Sequence, residues 1–255
     1  MSLNSGQISL LLDDAGTVGA TSGLVLSGAS LANLQSNANA LSLLSYSSID
    51  IYGHGQVGGF GADDQPAITS LELHAAALRG FNTNGGRVGF AARDILIDNE
   101  AGRAAQESVA PSSGTLSFQS ETLRLGVNQV AVDYYDSLEL QATNGVSLEG
   151  TGALAQQGGL TVTAPVITAG TASSYDVSAT GAIALLAPPS APAVALRGGL
   201  GARVSFTGYS INDQTRLSLP GGQGTLRATS GDVVVGGVID ATGTGQHVYD
   251  LDKFT

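Results

Sequence analysis

The sequence predicts an all-β chain, a single-stranded right-handed parallel β-helix whose coils each take about 22 residues. Three observations carry this. Apolar residues alternate with polar ones over short runs, the mark of strands with one buried face. The runs open at Leu116, Leu138, Leu160, Ile183, Val204 and Leu226, in steps of 22, 22, 23, 21 and 22 residues, and such regularity belongs to stacked repeats. Within a copy the two apolar pairs usually lie seven residues apart, as in Leu116 to Leu123, Leu160 to Ile167 and Val204 to Ile211. An odd step would turn one continuous strand's apolar set onto the wrong face, so each copy must bend at a corner.

Taken in order, Ile8 to Leu12 reads as a strand and Asp13-Asp14-Ala15-Gly16 as the turn after it. Leu24 and Leu26 with Leu31 repeat the seven-residue step, and Leu41 and Leu43 with Ile49 and Ile51 repeat a step of eight. Leu71, Leu73 and Leu78 form another copy, with a short helix from Leu71 to Arg79, stopped at Gly80, as the alternative. Val88 and Phe90 with Ile95 and Ile97 return to strands. In the regular block Leu138 and Val146 are eight apart, and Asn144-Gly145 supplies a corner with an extra residue. A weaker third side is expected at Val130 and Val132, at Val177, and at Leu217 and Leu219. One interior column should run through Leu116, Leu138, Leu160, Ile183, Val204 and Leu226.

Three segments break the rhythm: Gly53 to Pro66, Asn99 to Ser113, and the bulge Pro188 to Pro192. The second includes a helical turn around Arg103 to Val109. The third cannot sit inside a hydrogen-bonded strand. Loops leaving a regular stack are where recognition chemistry accumulates. The tail Tyr249 to Thr255 either caps the last coil or continues into another.

Length and composition set bounds. A chain of 255 residues suits one domain, 1–255, that grows by stacking, with about eleven coils and a rod of roughly 50 Å. Its 36 Gly, with no Cys and no Trp, fit tight corners. A formal charge of −11 and a pI near 4.4 argue against nucleic acid and anionic membrane surfaces, which need a cationic footprint. No apolar run is long enough to span a membrane as a helix. No signal peptide opens the chain, which enters its strand pattern at once and reads as a piece of something longer.

Candidate chemistry is sparse. Gly53-His54-Gly55 resembles the Gly-His-Gly of polygalacturonases, and Asp63-Asp64 resembles their acidic pair, which implies glycosidic cleavage between two carboxylates. The order of the two stretches is reversed relative to that family, which favours a plain glycine-rich corner. Gly58 to Asp63 resembles the opening of a calcium-binding nonapeptide, but it stands alone without tandem copies. His54, His74 and His247 lack zinc-ligand spacing, and no cofactor motif is present. Asp133-Tyr134-Tyr135-Asp136 offers exposed tyrosines to stack on a sugar ring, with carboxylates to accept its hydroxyls; a corner with one tyrosine packed inward is the competing and favoured reading.

The alternation from Gly224 to Val235, followed by Ile239-Asp240-Ala241-Thr242-Gly243, is similar to the repeats of filamentous-haemagglutinin-type exoproteins, as are Gly114 to Gly126 and Gly158 to Gly170. The resemblance implies a secreted bacterial cell-surface protein, exported through an outer-membrane transporter by two-partner secretion. It implies a shaft with adhesive or virulence roles toward a host or bacterial surface glycan or protein. Asn82-Thr83-Asn84-Gly85 lacks the proline of that family's secretion-domain Asn-Pro-Asn motif, which places the chain in an internal segment. The alternatives are a pectinase-like polysaccharide-active enzyme and the shaft of a contact-dependent toxin.

Overall fold

The structure, a computed structural model, describes residues 1–16, 18, 22–61, 64–104, 110–189 and 196–243, without the side chains of 35–37. It is mostly β, with 57% of residues in strands and one short helix, Gly28–Asn37. The strands form two parallel sheets of 15 and 9 strands, an arrangement compatible with an all-β parallel solenoid. The larger sheet turns a corner because the long strands Thr115–Leu125 and Ser137–Leu148 run through it, and their two halves pair with different neighbours.

Three walls result. The first stacks Gly55–Val57, Arg87–Ala91, the leading halves of the two long strands, Gly159–Thr163, Ile183–Leu186, Ile211–Asp213 and Val233–Val235. The second stacks Ser2–Ser5, Ala40–Ser45, Ser70–His74, Asp94–Asp98, the trailing halves, Ile167–Ala169, Arg216–Ser218 and Val238–Asp240. The third wall is the smaller sheet, from Leu24–Ser27 and Ile8–Leu11 through Ser48–Tyr52, Ala77–Phe81, Asn128–Asp133, Thr151–Gln156, Ser174–Ala179 and Arg203–Gly208 to Gln223–Ala228. The alternation that predicts strands is visible in their burial. Ser174–Ala179, for example, is exposed and buried at alternate residues.

Parallel register brings like residues into line inside. Val88, Leu116, Leu138, Leu160, Ile183, Ile211 and Val233 form one column. A second runs through Phe90, Phe118, Leu140, Val162, Leu185, Asp213 and Val235, and its two phenyl rings stack at 5.2 Å. The predicted column therefore holds from Leu116 to Ile183 and fails beyond. Val204 and Leu226 lie in the third wall, opposite Tyr175 and Phe206 respectively. After Leu186 the next described strand is Arg203–Gly208 in the third wall, and the next return to the first wall is Ile211, while Val204 only happens to fall 21 residues after Ile183. Of the expected third side, Val130, Val132 and Val177 are in place, whereas Leu217 belongs to the second wall.

Leu71 to Arg79 forms strand rather than helix. Gly80 there is required by packing: a Cβ would lie 2.5 Å from Cζ of Tyr135, whose ring fills the interior beneath it. A helix appears instead where another copy was expected. Leu24–Ser27 pairs with Ile8–Leu11 on the side away from Ser48–Tyr52, and the chain then enters Gly28–Asn37. Its start is marked by the Ser27 N–H donating to Ser30 Oγ at 3.0 Å. Leu31 and Leu34, one turn apart, join the core cluster of Ile8, Leu10 and Leu26, so the helix closes this end of the stack.

Two excursions interrupt the stacking. Between Asp98 and Thr115 the chain contributes no strand to the third wall among the described residues, and Ala77–Phe81 pairs directly with Asn128–Asp133. Between Leu186 and Arg203 no strand of the second wall occurs among the described residues, and Ile167–Ala169 pairs with Arg216–Ser218.

Candidate functional site

The corner between the first and second walls carries a bulge. Ser120 lies opposite Ala142 and Thr122 opposite Gly145, so Thr143 and Asn144 face the single residue Glu121. This is the extra corner residue expected at Asn144-Gly145. A bulge bends its strand and re-aims side chains, and such irregularities gather near binding sites. Outward from it lies a groove of about 410 Å³, within the range of small-ligand sites.

The floor of the groove is polar. Gln119, Gln141 and Thr163 occupy equivalent positions on successive strands, about 4.8 Å apart. The Gln119 Nε2 donates to Gln141 Oε1 at 3.4 Å, and Ser120 Oγ to the Gln141 carbonyl at 3.3 Å. Glu121 and Thr143 complete this floor. One wall is the loop after Gly55–Val57, with Phe60, Asp64, Gln65 and Pro66; the other is Pro188 and Pro189. Two of the segments singled out for breaking the repeat, Gly53 to Pro66 and Pro188 to Pro192, thus meet across one groove. Residues 190–192 lie outside the described residues.

The Phe60 loop is held by its own ladder. Phe60 and Pro66 form an antiparallel bridge, Gly61 N–H donates to Gln65 O at 2.8 Å and Ala67 N–H to Gly59 O at 2.9 Å. Its root needs glycine: Gly58 has φ +80°, and a Cβ there would lie 2.2 Å from the Ala91 carbonyl oxygen. Phe60 is 46% exposed. Arg93, half-exposed, reaches the Pro66 carbonyl at 3.4 Å and Glu121 at 4.0 Å, tying the loop to the bulge. Asp64 on the loop and Glu121 on the floor make the groove acidic.

Of the residues selected from sequence, Asp64 lines this groove, while Asp63 lies outside the described residues. His54 is elsewhere, on the corner beside Asp13 and Asp14, with Nε2 3.8 Å from Asp14 Oδ2. The Asp133 to Asp136 patch does not present tyrosines to solvent. Tyr135 is wholly interior, which raises its phenol pKa by burial. Tyr134, at φ +67°, packs on Phe81, whose ring stacks in turn on Tyr52. The left-handed residue shifts the alternation at the corner, and both rings are covered. Asp133 is half-buried opposite Arg79; burial lifts its pKa and Arg79 opposes the shift. Asp136 is exposed. Arg79 itself is buried in a bidentate pair with Asp50, at 2.7 and 3.0 Å.

Sequence reasoning missed Phe60, Gln119, Glu121, Gln141 and Thr163. Gln119, Gln141 and Thr163 are outward residues of regular strands, where any polar side chain satisfies the pattern, and Glu121 sits at the bulge that the extra residue opposite it creates. No group of three or more His, Cys, Asp or Glu positioned to hold a metal occurs among the described residues. No helix among them is long and apolar enough to cross a membrane. No family model, curated protein or solved structure matches the chain.

Proposed function

We propose that this chain is a right-handed parallel β-helix forming a shaft segment of a secreted bacterial surface exoprotein, and that the groove beside the bulge binds a surface glycan. The three-walled parallel stack with interior columns supports the shaft. Export through an outer-membrane transporter belongs to the same reading. The observation that carries the binding role is the composition of the groove: one exposed aromatic ring, Phe60, beside a floor of amides and hydroxyls from Gln119, Ser120, Gln141 and Thr163.

A pyranose has an apolar face of C–H groups that packs on an aromatic ring and a rim of hydroxyls that exchange hydrogen bonds with amides and carboxylates. Asp64, Glu121 and a net charge of −11 repel uronic and sulfated sugars, so neutral or amine-bearing glycans are preferred.

Calorimetric titration of the chain with neutral and with uronic oligosaccharides tests this. Neutral sugars should bind, and Phe60→Ala and Gln141→Ala should each weaken binding about tenfold, the effect of about 1.4 kcal/mol. Tyr209→Ala, removing an exposed ring that does not line the groove, should change nothing. Binding that is indifferent to Phe60, or none to any neutral glycan, would sink the proposal.

A further inference from the structure

Away from the groove, the outer surface of the second wall carries a compact ionisable cluster. His74 and Asp98 stand in register at the ends of neighbouring strands, and His74 Nδ1 is 2.6 Å from Asp98 Oδ1. Glu72 Oε2 lies 3.6 Å from His74 Nε2, and Glu100 Oε2 3.9 Å from Nδ1. The imidazole is only 8% exposed, whereas Glu100 is 64% exposed. From the strands on the other side the residues aligned with His74 are Leu44 and Asn4, neither of which ionises. The nearest other cation in the wall, Arg124, is paired with Asp94 at 2.7 Å and lies 4.0 Å from Glu149, with a weaker pull on Glu72.

Asp98 is also the root of the first excursion. Its Oδ1 accepts the Glu100 N–H at 3.1 Å. Next to it, Asn99 Nδ2 donates to the carbonyls of Arg103 and Gln129 at 3.0 and 3.1 Å, and Asn128 Nδ2 donates to Asn99 O at 2.9 Å. The position of Asp98 therefore sets the first turn of the segment that leaves the stack.

We propose that His74 is a proton-operated clasp: its imidazolium draws Glu72, Asp98 and Glu100 together and fixes the segment 99–104 that follows Asp98, and its deprotonation releases that segment. With the proton in place one cation serves three carboxylates. Without it three like charges crowd a neutral ring, and Glu100, the most exposed, swings away with the backbone it carries. The hydrogen bond that His74 donates to Asp98, with lesser help from the charges of Asp98, Glu100 and Glu72, raises the His74 pKa above its ordinary 6.5 against the opposing effect of burial. A raised folded-state pKa means that the stabilisation is fully present below pH 6.5 and is lost as pH rises through the folded value.

The readout is cleavage after Arg103, which lies in this segment with its guanidinium over the Tyr46 ring at 5.5 Å. The intact chain is digested with trypsin between pH 6 and 9, followed by mass spectrometry and normalised to the protease's rate on a free peptide. Cleavage at Arg103 should rise across the His74 titration, by about tenfold for each unit of pKa shift. His74→Gln should give fast cleavage without pH dependence. Glu100→Gln changes an exposed side chain and should move the midpoint to lower pH, which keeps the test decisive if the histidine variant fails to fold. A parent rate that is flat with pH, or a midpoint untouched by Glu100→Gln, overturns the clasp.

Discussion

Asp213 is the least expected single residue in the interior. It occupies the column position between Leu185 and Val235 and is 0% exposed. Its Oδ1 accepts the Thr215 N–H at 3.1 Å, while Oδ2 has no hydrogen-bond partner among the described residues. Burial raises its pKa, with the Thr215 hydrogen bond opposing. The sign follows directly: the folded state holds this proton more tightly than the unfolded chain, so stability falls as pH rises from the ordinary 3.8 through the folded value. Asp213→Asn keeps the acceptor for Thr215 and removes the charge. It should stabilise the chain at pH 7 by on the order of 1 kcal/mol, with no gain below pH 3.8. Urea midpoints of both forms at the two pH values measure this; a variant less stable than the parent at pH 7 would show that the carboxylate has a compensating partner.

At the scale of elements, the helix Gly28–Asn37 matters most to integrity, because an open end of a parallel stack exposes both apolar columns and unpaired strand edges. Replacing Leu31 and Leu34 together by Asp should lift the helix and leave the rest folded but self-associating. Light scattering behind size-exclusion chromatography would register the shift, and a monodisperse double variant with the parent's melting temperature would refute the capping role. The sequence does not announce this helix as one, since Leu24 to Leu31 repeats the seven-residue step of a corner and Leu31 to Leu34 is too short to establish a helical period. The strands from Leu116 to Leu185 were legible for the opposite reason: pairs that open at Leu116, Leu138, Leu160 and Ile183 return in steps of 22, 22 and 23 residues, and a slip within any of them would put its apolar pair on the wrong face. The groove was half legible. Glycine and proline reveal that Gly53 to Pro66 and Pro188 to Pro192 must leave the stack, but not that they leave toward the same corner. That depends on which strands each loop joins, and the register of distant strands sets it.

For the whole molecule, each layer touches only its neighbours, so stability is close to a sum of layer and interface contributions and opening starts where neighbours are fewest. The last described strands show this state, with Val233, Val234, Val235, Val238 and Ile239 all exposed. Amides of residues 223–240 should therefore exchange with deuterium on the order of a hundredfold faster than those of 116–163, as peptide-resolved mass spectrometry can determine. Uniform protection along the chain would mean a single cooperative unit instead. The two excursions act on the same scale in a different way. Where each leaves, the flanking strands of the wall pair with one another, so the ladder closes across the gap, while the described ends bond back to the stack, the Asn99 N–H to Val127 O and the Gly199 N–H to Ala169 O. The length between these anchored ends is therefore decoupled from the register of the stack, and foreign peptide spliced between them should ride as cargo while the scaffold keeps its count.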